Sequence, residues 1–412
     1  MEDTELSVTL LNAYDSGGAG TATKRIYQGL RKIGVDANML VDHKQGDDPL
    51  IHGPESTLRK AYSMARPFID RFPLRLYGGS DGVFSPNWLP EDVNNRIDRL
   101  DPDVIHLNWV GGGFLTPSTI SSFDRPVVWR FPDMWPMTGG CHYARSCEGY
   151  KKSCGTCPEL GSTSAWDLSR LTMARKSRAF SNTDITVVAP SNWLAECARE
   201  SSLFQDSHIE VIPNGLDTDV FYPWDMKTAR STFQLNQEET IVLFGSVNAT
   251  SDPRKGFDLL DNALNDIESE NLRLVVFGSS EPTDPPDLNY PTTYTGYLHD
   301  NQSLAFLYSA ADVMVVPSRY EGFGQTVSES MACGTPVVAF DATGPSDSVD
   351  HRKNGYLAEP YDPKDLARGI NWVLEDQKRR SDLSKQARMK AKEEFSLEVA
   401  ANRYKKVYKS II

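Results

Sequence analysis

Long apolar runs are missing from this sequence: no stretch approaches the ~18 consecutive apolar residues of a membrane-spanning helix. Basic charge is in short supply. Lys and Arg number 43 against 56 Asp and Glu, a formal net charge of −13. That balance argues against sequence-independent nucleic-acid binding, which needs a basic surface to displace counterions. Cysteine is scarce, with six residues in 412, too few for a disulfide framework in a chain this long, and this points to a reducing cytoplasm. No internal repeat of solenoid length and no low-complexity tract occurs. The first residues, Met1 to Leu6, include Glu2, Asp3 and Glu5, where a secretory signal would be basic and then apolar. The expectation is a soluble cytoplasmic protein without a nucleic-acid partner.

What is present is the pattern of an α/β protein. Short apolar runs read as buried strands at Val8–Leu11, Val104–Leu107, Val127–Trp129, Ile185–Ala189 and Ile209–Ile212, then Ile241–Phe244, Leu272–Phe277, Val313–Val316 and Val337–Phe340. Between them lie segments of helical period, among them Thr21–Ile33, Leu168–Phe180, Phe257–Ile267 and Ser303–Ala310. Such alternation implies parallel sheets covered on both faces. A chain of 412 residues exceeds a single core, and the pattern restarts near Ile241, after turn residues at Ile212-Pro213-Asn214-Gly215. Two Rossmann-like domains facing across a cleft are expected. The first covers 1–205 and is rejoined by a returning C-terminal helix, 396–412; the second covers 206–395.

In such sheets ligands sit beyond the carboxyl ends of the strands. The first loop carries Gly17, Gly18 and Gly20 ahead of a helix, which suits an anion but also a plain tight turn. Asp42, at the end of strand two, keeps a dinucleotide enzyme open. In the second half, Arg254 and Lys255 precede Gly256 at a loop-to-helix junction, a pocket for a diphosphate or a solvated charged loop. Glu321-Gly322-Phe323-Gly324-Gln325-Thr326 follows a strand exit, and Glu329 lies one turn into the next helix. Two carboxylates so spaced can reach opposite ends of a polyhydroxylated ligand while helix amides hold phosphate between them.

With these pieces the chain resembles the retaining glycosyltransferases of family 4, the group 1 glycosyltransferases of GT-B fold. Pro190-Ser191-Asn192-Trp193, Ile212 to Asp217 and Gly296-Tyr297-Leu298 add to the likeness. The resemblance implies that Glu321 contacts the donor sugar, Glu329 the ribose, and Gly322 to Thr326 the sugar and phosphate. It implies that Arg254 and Lys255 neutralise the diphosphate leaving group without a catalytic metal, and that Gly296, Tyr297 and Leu298 flank the base. Gly17, Gly18 and Gly20 would wall the cleft. Front-face attack with retention, on a UDP- or GDP-type sugar, is likewise an implication. The acceptor would be a saccharide, free or lipid-linked, in surface polysaccharide or glycolipid synthesis.

The chain departs from the family at Pro132, which stands where many relatives carry His before Asp133-Met134-Trp135. Asp133, Arg130, His106 and Asn108 are candidate substitutes, with Trp109 and Trp135 beside them on the acceptor side. Just beyond, in a Cys-rich insert over 139–160, Cys141, Cys147, Cys154 and Cys157 fall within seventeen residues. The last pair has zinc-knuckle spacing, so one structural zinc is expected, with disulfides or free thiols as alternatives and His142 as a spare ligand. Cys197 and Cys333 read as packing residues.

Residues 58–77 hold Arg59, Lys60, Arg66, Arg71 and Arg75 interleaved with Tyr62, Met64, Phe68, Phe72 and Leu76. The stretch could meet an anionic membrane or be a solvated face with core-facing aromatics, and Pro67 and Pro73 argue against one clean helix. A second basic run, Arg170 to Arg178, reads as an ordinary helix face. Competing readings of the whole chain are a nucleotide-sugar epimerase, a Rossmann oxidoreductase, and a catalytically degenerate binding homologue.

Overall fold

The computed structural model describes residues 6–78, 83–269, 271–282 and 288–412, so the acidic start, Met1 to Glu5, lies outside it. The chain divides into two compact units, Met1–Gly215 with Ala400–Ile412, and Leu216–Val399.

Among the described residues the first unit holds a seven-stranded sheet and the second a six-stranded one. The first comprises β1 (Ser7–Tyr14), β2 (Asp36–His43), β3 (Ile51–His52), β4 (Val104–Leu107), β5 (Val127–Arg130), β6 (Ile185–Ala189) and β7 (Ile209–Val211). Their order is β3-β2-β1-β4-β5-β6-β7, every pair parallel. The second comprises β8 (Thr240–Gly245), β9 (Leu272–Phe277), β10 (Thr292–Gly296), β11 (Val313–Val316), β12 (Val337–Phe340) and β13 (Gly355–Ala358), in the order β10-β9-β8-β11-β12-β13 and again all parallel. Each is a doubly wound, Rossmann-like sheet.

Both faces of each sheet are buried, which is why the strands read as continuous apolar runs. Leu11, Leu107, Trp129 and Val187 pack to one side of the first sheet, and Leu10, Val104, Val128 and Val188 to the other. In the second sheet Leu243, Val275, Met314 and Val337 face one core, and Val242, Leu274, Val315 and Val338 the other.

The last helix, Leu397–Ile411, supplies Ala401, Tyr404, Val407 and Tyr408 to the first sheet's core beside Val104 and Val188. It also carries a 2.6 Å hydrogen bond between Tyr408 Oη and His106 Nδ1. Where the second unit begins and ends, Leu216 donates to the Phe395 carbonyl at 2.7 Å and accepts from Leu397 N–H at 3.1 Å.

Two local expectations hold only in part. Residues 58–77 do not form one helix, but the break does not fall at Pro67. The helix α2 (Thr57–Asp70) runs through Pro67 without interruption; the bond lost there is only the one to the carbonyl four residues back. A 3₁₀ turn over Phe72–Leu76 follows, with Pro73 near its start where a missing N–H costs nothing. The basic run Arg170 to Arg178 lies on the helix Leu168–Phe180 as expected, but Lys176 within it is wholly buried rather than solvated.

His106 is fully buried, and burial, helped by the charge of Arg130, pushes its pKa down from 6.5 to about 3. The native state therefore refuses a proton that the unfolded chain accepts below about pH 6.5. Stability from this group is present above that pH and is lost as pH falls toward 3, by about 1.4 kcal/mol per pH unit. Denaturant titrations across this window should show a shallower fall for His106→Gln than for the wild type.

Candidate active site

In the second unit the strand order reverses between β8 and β11, so the loops leaving these neighbours diverge and open a crevice at their carboxyl ends. The β8 loop ends in a 3₁₀ turn, Pro253–Lys255. Asp252 caps it, accepting from Arg254 N–H at 3.0 Å and from the guanidinium at 3.1 and 2.5 Å. Burial alone would raise the Asp252 carboxyl, but the Arg254 hydrogen bond and charge outweigh it and hold the pKa below the usual carboxylate value. Arg254 thus bonds within its own turn, and Lys255 faces the next loop.

That loop follows β11. Arg319 zips it to the first: its N–H donates to the Arg254 carbonyl at 2.8 Å, and its guanidinium to the Pro253 carbonyl at 3.0 Å and to both Asp258 oxygens at 2.7 and 2.6 Å. The result is an ion pair between Lys255 Nζ and Glu321 Oε2 of 2.6 Å, the two side chains 19% and 21% exposed. Gly256 permits this approach. Its φ is +71°, and a Cβ there would lie 2.0 Å from the Pro317 carbonyl oxygen. Gly324, at φ +86°, starts the helix Gln325–Ala332 with no side chain to cap it, so the positive end of that helix opens onto the Glu321 loop. The Glu321 carbonyl in turn accepts from Gly344 N–H at 2.9 Å.

Gly322 and Phe323 are buried in this loop, while Gln325 and Thr326 keep partial exposure. Glu329 is buried, with Oε2 accepting from Tyr308 Oη at 2.8 Å. Gly296, Tyr297 and Leu298 leave β10. The Gly296 carbonyl accepts from Gly278 N–H at 2.8 Å, Leu298 packs on the core, and the Tyr297 ring is 51% exposed.

In the first unit Gly17 and Gly18 open the helix α1 (Gly17–Lys32) at an exposed start, and Gly20 is buried. The dinucleotide-type acid Asp42 is buried and accepts from Ser63 Oγ at 2.7 Å, an engagement with α2. Of the five acceptor-side candidates, Trp109 alone keeps surface. His106, Asn108, Arg130 and Trp135 are buried. Arg130 donates Nε and Nη2 to Asn214 Oδ1 at 3.1 and 2.6 Å, and Trp135 Nε1 donates to the Ser85 carbonyl at 2.8 Å.

Asp133 is engaged on both oxygens. Oδ1 accepts from Trp135 N–H at 2.8 Å; Oδ2 accepts from Trp109 Nε1 at 3.0 Å and meets His142 Nδ1 at 2.6 Å. His142 Nε2 lies 2.9 Å from Ser85 Oγ, which takes Gly112 N–H at 3.1 Å. The imidazole is stacked on Trp109 with centroids 5.4 Å apart. Although Pro132 offers no hydrogen bond, the neighbouring carboxylate of Asp133 is met by an imidazole from nine residues further along the chain.

The cysteine expectation is corrected. Cys141, Cys147, Cys154 and Cys157 do line one pocket, together with Phe84, Ala144 and Tyr150. Yet among the described residues no group of three or more His, Cys, Asp or Glu could hold a metal ion. The thiols also sit in dry surroundings. Burial pushes Cys154 up to about 11 and raises Cys141 and Cys157 as well. The buried Lys176 meets the chain just before this segment. Its Nζ donates to the Trp135 and Thr138 carbonyls and sits 3.6 Å from the Trp135 ring centroid, and burial brings its pKa down to about 7.

Sequence reasoning passed over Asp252, Arg319, Ser85 and Lys176, and treated His142 only as a spare ligand. Asp252 was discoverable, since an Asp two residues before Arg254, with Pro between, is a turn cap. The others act across long sequence separations and leave no local signal.

Comparison with known proteins gives two family models in tandem: one described as Glycosyltransferase Family 4 over residues 16–220, and one as Glycosyl transferases group 1 over residues 225–390. A D-inositol 3-phosphate glycosyltransferase of Corynebacterium aurimucosum is 24% identical over 426 residues, covering 96% of this chain and 91% of the relative. An uncharacterized glycosyltransferase of Methanocaldococcus jannaschii is 31% identical over 217 residues, 50% of this chain; that match spans only 54% of the relative. Among solved structures, sucrose-phosphate synthase from Thermosynechococcus elongatus matches with a TM-score of 0.67 at 22% identity, covering 98% of each chain. Anabaena HepE in complex with UDP-glucose matches with a TM-score of 0.64 at 17% identity, covering 98% of this chain and all of that one. At these identities the structural likeness is one of fold.

Gly256→Ala should force the β8 loop off the Pro317 carbonyl and cost about 1–3 kcal/mol, read as a lowered denaturant midpoint. His142→Phe, which keeps a ring beside Trp109 but removes the partner of Asp133, should cost about 2 kcal/mol in the same assay.

Proposed function

The chain belongs to the group 1, family 4 glycosyltransferases, and from that premise we propose that it moves a hexose from a nucleoside-diphosphate sugar of UDP or GDP type to a saccharide acceptor, free or lipid-linked, with retention at the anomeric carbon. The observation that carries this reading is the Lys255–Glu321 pair at the strand-order reversal, beside the open start of the helix Gln325–Ala332. A diphosphate leaving group gains negative charge as the glycosidic bond to it breaks. A preorganised ammonium and a helix start are placed to stabilise that charge. Glu321, drawn to Lys255 in the free protein, accepts hydrogen bonds from the sugar hydroxyls once phosphate takes over the lysine. Glu329, eight residues on, is assigned to the ribose, with Tyr308 holding one of its oxygens.

In the first unit Asp133 is assigned to the reacting sugar, and Trp109, a half-buried member of its network, is assigned to stacking on an acceptor ring with the part of its indole left open. Surface polysaccharide or glycolipid synthesis is the assigned context.

The test is a thermal-shift screen against UDP, GDP, ADP and CDP without added metal. The donor nucleotide should stand out, since a ligand at about 100 times its Kd stabilises by about 2.7 kcal/mol. Lys255→Ala should shrink that shift, and Lys255→Ala and Glu321→Ala should each lower turnover about 10²-fold or more while melting near the wild-type temperature. A protein indifferent to all four nucleotides overturns the reading.

A further inference from the structure

A surface helix of a soluble protein ordinarily buries its apolar stripe and shows its polar face to water. Helix α2 does the reverse. Its buried positions are Ser63, Arg66 and Asp70, spaced as one helical face. That face is held by polar bonds: Ser63 Oγ to Asp42 Oδ1 at 2.7 Å, Arg66 Nη2 to the Gly113 and Phe114 carbonyls at 2.5 and 3.2 Å, and Asp70 Oδ1 from Trp88 N–H at 3.2 Å. The opposite face is apolar. Leu58 is 84% exposed, Met64 66% and Phe68 81%, and the 3₁₀ turn that follows continues it with Phe72 at 61% and Leu76 at 86%. Of the seventeen large hydrophobic side chains that stand exposed among the described residues, seven fall between Leu58 and Leu76. Such a concentration marks a surface built to be covered. Tyr62, Phe68 and Phe72 stand exposed rather than facing the core, whereas Leu74 and Tyr77 at the end of the stretch pack inward.

The charge around the patch names the cover. Lys60, Arg71 and Arg75 are exposed beside it, Arg75 lying 5.3 Å from the Phe72 ring centroid, in a chain whose net charge is −13. Cations flanking protruding apolar side chains match a lipid surface bearing anionic headgroups, where the rings enter the acyl boundary and the cations stay among phosphates. We propose that α2 and the 3₁₀ turn after it form a docking surface for an anionic membrane. The inverted helix is what makes this workable: polar bonds fasten it to the first unit, and the whole apolar face is left for lipid.

Co-sedimentation with vesicles tests the assignment on the full-length protein. Wild type should pellet with phosphatidylcholine vesicles containing about 30% phosphatidylglycerol, bind phosphatidylcholine alone at least about tenfold more weakly, and lose binding at about 0.5 M salt. The double variant Phe68→Glu/Leu76→Glu should bind anionic vesicles at least about tenfold more weakly, with its melting temperature and nucleotide response unchanged. Arg71→Glu/Arg75→Glu should lose the preference for anionic lipid. Three results overturn the proposal: protein left in the supernatant with every vesicle, equal binding to neutral and anionic vesicles, or a dimer in light scattering that Phe68→Glu/Leu76→Glu dissolves. Because nucleotide response is read separately, failure here and failure of the transferase reading are distinguishable.

Discussion

A parallel sheet buried on both faces has nowhere to place chemistry except the loops at its strand ends. Within the second unit the central charge pair obeys that constraint, while Glu329 sits one turn into the helix that follows. Lys255 lies on the loop after β8, Glu321 on the loop after β11, and the two strands are neighbours because the winding reverses between them. A charge pair of 2.6 Å thus joins residues 66 positions apart. Its precision comes from what surrounds it: Asp252 folds the first turn, Arg319 ties the loops together, and Gly256 lets the backbone close on Pro317. Burial supplies the rigidity and the loops supply the reactive groups.

The first unit solves a different problem, which is how to hold charged side chains where water is scarce. Asp133 is nearly enclosed and keeps its place through three donors, Trp135 N–H, Trp109 Nε1 and His142 Nδ1. Lys176 is wholly enclosed and spends its ammonium on two carbonyls and an indole face. Both networks grip the segment from Asp133 to His142, whose Met134, Trp135 and Met137 are also buried in the first unit's core.

Much of this was legible in the sequence, and the exceptions have physical causes. β4, β6, β9, β11 and β12 were readable to the residue because each is a short, mostly apolar run bounded by turn residues. β3 and β10 were not readable. The first is two residues long, and the second, Thr292–Gly296, is half-exposed and largely polar. Lys255, Glu321 and Glu329 stood out by residue type and spacing. Arg319 and His142 did not, because their partners are distant in the chain. The cysteines show the converse: their spacing brought four thiols to one pocket, yet spacing carries no information about how dry that pocket is. Pro67 suggested a break that α2 does not make, since a proline removes one hydrogen bond and the remaining bonds suffice.

The way the second unit joins the chain has a consequence for its origin and its handling. Its first residue, Leu216, is hydrogen-bonded to Phe395 and Leu397, close to its last residue, Val399. The unit is therefore an insertion whose two ends meet, carried within a first unit that is discontinuous in sequence but complete once Ala400–Ile412 returns. Modules of this topology can be excised or exchanged as a whole, because joining ends that already meet demands almost no loop-closure entropy. A chain so arranged can change its second unit for a related one while leaving the first sheet and its last helix intact.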